Sequence, residues 1–226
     1  MISGLLGCAP WCYKHYGAFV YAKQKNVPLN RQGQFGIGDV WTWTAIDADT
    51  KLAIAWLAGQ RTVEWACRFM KDVRSRLANR VQLTTDGHRP YLQATQQAFD
   101  WQVDYAMLEK HYGMDERRGQ ARYSPSKLQS ITLRHICGNP EPAHISTSFA
   151  ERQNLTMRMS MRRFTRLTNA FSKKIENHAL ALYFMYYNFC RIHQTLRVTP
   201  AMEAGIAGHV WSLAEVVEIA NTTKQP

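Results

Sequence analysis

Along residues 40–46, VWTWTAI, aromatic and apolar side chains alternate with threonine, the period-two pattern of a strand. Asp47-Ala48-Asp49-Thr50 is a turn signal, and 51–57 is an apolar return that closes at Gly59, so this stretch predicts a β-hairpin. The period then changes. Val63, Ala66, Cys67, Met70, Val73 and Leu77 recur at helical spacing with Arg and Lys on the other face, which predicts an amphipathic helix over 62–78. VQLTT at 81–85 predicts a short strand ending at Asp86-Gly87, 91–99 a second helix and 103–106 a further strand. Hairpin, helix, strand, helix, strand is the order of an α/β layer fold with a mixed sheet flanked by helices.

Upstream, 16–22 is aromatic and apolar enough for a strand, and 26–38, with Pro28, Gly33, Gly36 and Gly38, reads as a loop. Downstream, 114–130 is polar and charged and reads as an inserted loop, followed by an extended segment over 130–137 and the breaker Asn139-Pro140-Glu141-Pro142. Residues 144–166 dominate the second half. On one helix Glu151, Leu155, Arg158, Arg162 and Arg166 fall within roughly an 80° arc, while Met157, Met161 and Phe164 take another face. One carboxylate thus leads a basic stripe over an apolar underside. Ser146, Thr147 and Ser148 are N-cap candidates and Glu151 stands three residues after Ser148, so Glu151 reads either as a ligand or as half of a capping box. A third long helix is predicted over 175–189, then a basic loop to 199, a short helix opening at Pro200, an amphipathic segment over 211–219 and a frayed tail.

Composition narrows the function. With 46% hydrophobic residues and seven Trp the chain is a folded protein, not a disordered tail. Its net charge is +11, which makes a polyanion the default partner. The charge is clustered: 151–200 holds nine Lys or Arg against Glu151 and Glu176, the pattern of phosphate binding. Residues 1–38 contain no Asp or Glu. The five Cys, at 8, 12, 67, 137 and 190, lack paired C-x-x-C spacing, and with His135 and His144 they match no common zinc site, so free thiols in a reducing cytosol are expected. No apolar run is long enough to span a bilayer and no signal peptide opens the chain, so a cytoplasmic protein without a membrane partner is expected.

Two carboxylates carry the candidate chemistry. Asp86 follows a buried-looking strand at the carboxyl end, where open α/β sheets place ligands. Glu151 would add a second oxygen donor from a helix, and hard divalent ions in a phosphoryl-transfer site need oxygen ligands from separate elements. His88 reads as a substrate contact or as a solvated residue at a helix start. Tyr187-Asn188 with Arg191 and His193 suits backbone phosphate and base stacking, or, alternatively, complements a helix dipole.

VWTWTAIDADTKL at 40–52, LTTDGHRPY at 83–91, STSFAERQNLTMRMSMRRFTRLTNAFSK at 146–173 and YNFCRIHQTLRVTPAM at 187–202 together resemble the DDE transposases of bacterial insertion sequences, most closely the insertion-sequence-one family. The resemblance covers about residues 18–215 and is most specific around Glu151 and Asn154. It implies a ribonuclease H-like core over 18–205 with a basic helical carboxyl-terminal part, then a helix and tail over 206–226. It implies Mg²⁺ or Mn²⁺, cleavage and strand transfer at inverted-repeat ends and in target DNA, and assemblies on paired ends, hence a homo-oligomer. Asp86 and Glu151 become the second and third acidic metal ligands, with Asn154 supporting them. Arg158, Arg162, Arg163, Arg166, Lys173, Lys174, Arg191 and His193 become DNA contacts.

The chain departs from the family at the first ligand. The family's strand motif D-E-x-W-x-F, counted back from Phe19, puts Lys14 at the Asp position, and residues 1–17 are an aberrant segment too short for the family's helix-turn-helix. Asp47, one strand spacing of about 4.8 Å away, is the candidate substitute, although an Asp there ordinarily serves the turn. A truncated or frame-shifted transposase with impaired catalysis is the expectation, and a catalytically inactive DNA-binding remnant is the alternative.

Overall fold

The computed structural model of the chain describes residues 6–10, 18–113, 128–164 and 171–222. A seven-stranded mixed sheet is built from β1 (Leu6–Pro10), β2 (Ala18–Val20), β3 (Gly38–Asp47), β4 (Ala53–Gly59), β5 (Gln82–Asp86), β6 (Asp104–Tyr112) and β7 (Leu128–Cys137). The α-helices are α1 (Val63–Ser75), α2 (Pro90–Phe99), α3 (Ser148–Ser160), α4 (Leu180–Met185), α5 (Pro200–Glu203) and α6 (Leu213–Thr222). Among the described residues no helix is long and apolar enough to cross a membrane.

The predicted hairpin forms, with Trp41 opposite Gly59 and Thr44 opposite Trp56. β1 runs antiparallel to β3 and parallel to β5, β6 runs parallel to β5, and β7 closes antiparallel on β6. This is the mixed α/β sheet expected from the order of elements. The central strand is a surprise. Residues 6–10 lie in the leading segment set apart from the core, and LGCAP has weak strand character. Pairing decides instead, because β3 and β5 each gain from it a partner for main-chain groups that burial would otherwise leave unsatisfied. β6 likewise runs past 106 to Tyr112, sustained by its ladder with β7. Of the inserted loop predicted over 114–130, residues 114–127 lie outside the described residues, and 128–130 begin β7.

Helices cover both faces. Neighbouring residues of β3 take opposite sides, as the pleat requires: Ala45 joins a core with Trp43, Phe69, Met70, Val73, Leu83, Tyr91 and Tyr105, while Ile46 packs with Phe149 and Ala150 of α3. A second cluster holds Met157, Phe164, Leu180, Tyr183, Phe184 and Tyr187 against Ala53.

Two predicted helices are shorter than the sequence pattern. The helix expected over 144–166 covers only Ser148–Ser160, because Met161 turns extended and the 3-10 turn Arg162–Phe164 drives Phe164 into the second cluster. The helix expected over 175–189 is divided into a 3-10 turn Ile175–His178, a left-handed Ala179 at φ 50°, α4, and a π turn Tyr186–Cys190. The π turn ties this region to the hairpin. Tyr187 donates its hydroxyl to the Lys51 carbonyl at 3.0 Å, and the Asn188 amide pairs with both main-chain groups of Ala53 at 2.9 Å.

Candidate active site

Asp86 ends β5 because Gly87 and His88 turn the chain into α2. Its Oδ1 accepts the His88 N–H at 3.0 Å. A side chain at Gly87 would collide with Glu109 Cγ, so the glycine lets Glu109 of β6 lie against the turn. Burial pushes the Asp86 carboxyl up to about 7, opposed by the His88 N–H and the Arg61 charge and reinforced by Glu151 and Glu109. Asp86 therefore sits in the field of two further carboxylates brought by β6 and α3.

Glu151 is half-buried in the first turn of α3, on the helix that lies across β1 and β3. Its Oε1 accepts the Thr147 hydroxyl at 2.9 Å and the Lys110 ammonium at 2.6 Å. The capping-box alternative does not form: Thr147, not Ser148, is the N-cap, and it makes no side-chain bond to the helix N–H groups. Asn154 stands one turn further on, and its Oδ1 is buried without a hydrogen-bond partner. Asp86 feels the Glu151 charge, and Asn154 shares α3 with Glu151, so the oxygens present are of the type a hard cation such as Mg²⁺ or Mn²⁺ takes, characteristically one or two carboxylates with water and phosphate completing the shell. Among the described residues no three His, Cys, Asp or Glu side chains group to hold a metal.

The first-ligand position is different from the sequence expectation. Lys14 lies outside the described residues. β1 pairs with β5 as Leu6 with Leu83, Gly7 with Thr84 and Cys8 with Thr85, and one step further along that register Ala9 stands beside Asp86. Ala9 also faces Thr44 on β3. Asp47 faces Leu6, three residues along the strand from Ala9 and so about 10 Å away. Both of its carboxylate oxygens serve the hairpin turn, Oδ1 accepting the Asp49 N–H at 3.2 Å and Oδ2 the Thr50 hydroxyl at 2.7 Å. Asp86 and Glu151 thus act on each other, Asn154 lies one turn along α3 from Glu151, and Asp47 is committed to the hairpin turn.

The basic residues form no single helical stripe. Arg158 is on α3, Arg162 and Arg163 are exposed in the turn after it, and Arg166 lies outside the described residues. Lys173 and Lys174 are exposed just after Ser172, which bridges to Val20. Arg191 donates to Ser160 Oγ at 3.4 Å. His193 shares a hydrogen bond with Thr195 at 2.9 Å, and its pKa is lowered by burial and then by the charges of Lys51, Arg191 and Arg152. Three cations, Lys51, Arg191 and Arg152, therefore share the neighbourhood of His193, with Lys51 lying 4.0 Å over the Phe149 ring. Tyr187 and Asn188 are committed to the hairpin and are not available for DNA.

Sequence reasoning missed Glu109, Lys110 and Arg61. The first two fell beyond a strand expected to stop at 106; YAMLEKHY is an apolar block followed by a charged one and does not alternate, so it is the ladder with β7 that carries the strand on to Tyr112. Arg61 has no local signal; it reaches the site by stacking over Trp41, 5.1 Å from the ring. No protein-family model matches the chain and no curated protein matches it.

Proposed function

We propose that this chain is a DNA-binding phosphoryl-transfer domain of the DDE transposase type, with a ribonuclease H-like core, whose catalysis is weakened by the absence of the first acidic ligand. The observation that carries the reading is that Asp86, at the carboxyl end of a parallel strand, lies in the field of Glu151 on a helix packed across the sheet, with the unpaired Asn154 oxygen one turn along that helix. The mixed sheet with helices on both faces supports the fold, and the motif blocks around these residues support the family.

In this reading Asp86 and Glu151 hold Mg²⁺ or Mn²⁺, and Asn154 supports them. A divalent ion bound there supplies Lewis acidity toward a phosphodiester oxygen. The protein's own contribution is positional. Asp86 is fixed by the His88 N–H, Glu151 by Thr147, and the exposed Arg162, Arg163, Lys173 and Lys174 offer charge to the DNA backbone. Ala9 at the position beside Asp86 favours the second reading, a catalytically inactive remnant that keeps DNA binding.

DNA affinity tests the shared part. Fluorescence anisotropy with a labelled duplex should show log affinity falling linearly with log salt, and Arg162→Ala with Arg163→Ala should flatten that slope by about 1.8. Affinity indifferent to salt would reject both readings. Nicking of supercoiled plasmid in Mn²⁺ then separates them: slow nicking abolished by Glu151→Gln marks the enzyme, and none marks the remnant.

A further inference from the structure

Lys110 is the cation that holds the Glu151 carboxylate. It lies on β6 two residues beyond Leu108, the register partner of Asp86, and its Nζ reaches Glu151 Oε1 at 2.6 Å across 41 positions of sequence. The pair is not a loose surface contact, since the Lys110 side chain is only 21% exposed. Thr147 donates to the same oxygen. Oε2 receives no hydrogen bond among the described residues. Glu109, the neighbour of Lys110, is turned toward Arg134 at 3.5 Å and leaves Lys110 to Glu151.

Two groups of opposite sign therefore meet where the proposed metal site has its helix ligand. A divalent ion at Asp86 and Glu151 and an ammonium on Glu151 repel each other at short range, and Glu151 cannot fully serve both. Resting on the metal-site reading above, we infer that Lys110 is a built-in counter-cation which a divalent ion must displace from Glu151, so that it sets the metal affinity of the site. Lys110 is a positioning residue and not a catalytic one. Once displaced, its ammonium stands at the mouth of the site with a phosphate as its natural next partner, which couples metal binding to the arrival of DNA. In the chain without DNA the internal ion pair weakens metal binding at the site.

The test is Mn²⁺ binding, followed by the electron-paramagnetic-resonance signal of the free ion, for the unaltered chain, Lys110→Met and Lys110→Arg. Lys110→Met should bind Mn²⁺ about tenfold more tightly, while Lys110→Arg, which keeps the charge, should stay near the unaltered value. A saturating duplex should tighten Mn²⁺ binding to the unaltered chain and leave Lys110→Met unchanged. Equal or weaker affinity in Lys110→Met, with unchanged circular dichroism, overturns the counter-cation and leaves the metal site standing. Absence of Mn²⁺ binding in all three proteins overturns the metal site and the inference with it. If Lys110→Met misfolds, Lys110→Gln carries the same comparison.

Discussion

Asp86 is held at a cost to the fold. An unfolded Asp ionises near 4, whereas burial raises the folded carboxyl to about 7. Between those values the unfolded chain releases a proton that the folded chain retains, so stability present below pH 4 is lost as pH rises to 7 and is lost in full above it. Three pKa units set an upper bound of about 4 kcal/mol on that loss. Asp86→Asn should therefore raise the melting temperature at pH 8 and leave it unchanged at pH 4, which thermal unfolding at both values checks. Equal melting temperatures at pH 8 would show that the carboxyl is well solvated. The place of Asp86 at a strand end was legible in LTTDG, because a strand closed by Gly announces itself locally. Its electrostatics were not, since Glu109, Glu151 and Arg61 arrive from three other parts of the chain.

Among elements, the hairpin was legible and what locks it was not. Alternation in VWTWTAI fixes β3, and Asp47 with Thr50 fixes the turn, all within a dozen residues. The clamp comes from Asn188, 135 positions away, whose amide satisfies the Ala53 N–H and carbonyl together. Asn188→Ala leaves both groups unpaired and should cost about 2–6 kcal/mol in urea unfolding, at the usual ~1–3 kcal/mol for each buried orphan. Asn188→Asp can still accept but not donate, so it should fall between. The end of α3 was illegible for a similar reason: MRMSMRRFTR permits a helix, and the burial of Phe164 stops it. At α6 the sequence does contain its cap. Ser212 and Glu215 form a capping box, with the Ser212 N–H donating to Glu215 Oε2 at 2.7 Å and the Glu215 N–H to Ser212 Oγ at 3.3 Å. The Ser212 N–H, His209 and the Ser212 hydroxyl hold the Glu215 carboxyl down at about 2. Its stabilisation is present above the unfolded value near 4.5 and is lost as pH falls through 2. A carbon-detected NMR titration of Glu215 should have its midpoint near 2, and a midpoint at the ordinary value would mean that the box is open.

At the scale of the molecule, the sheet brings Ala9 beside Asp86, and this register is where family resemblance and geometry give different residues. Counting back from Phe19 along the motif selects Lys14. The pairing of β1 with β3 and β5 selects Ala9, because β2 pairs with β3 at Gly38–Val40 and β1 at Trp43–Asp47, so their partners on β3 are two positions apart while β1 and β2 are seven residues apart in sequence. A five-residue excess separates the two counts. Sequence alone could not detect it, since the register of β1 is set by two partners far along the chain. The choice has a functional consequence. If the missing carboxylate is what limits phosphoryl transfer, restoring it at the position beside Asp86 should restore turnover, and restoring it elsewhere should not. Ala9→Asp should therefore gain Mn²⁺-dependent nicking of supercoiled plasmid by at least tenfold over the unaltered chain, and Ala9→Asp with Glu151→Gln should lose that gain. Lys14→Asp should gain nothing. The opposite result, activity from Lys14→Asp alone, would return the strand to the motif's register and remove β1 from the centre of the sheet. Inactivity of both variants, with salt-dependent DNA binding intact, would count against the first ligand as the limit on the proposed catalysis and leave DNA binding as the part of the proposal that stands.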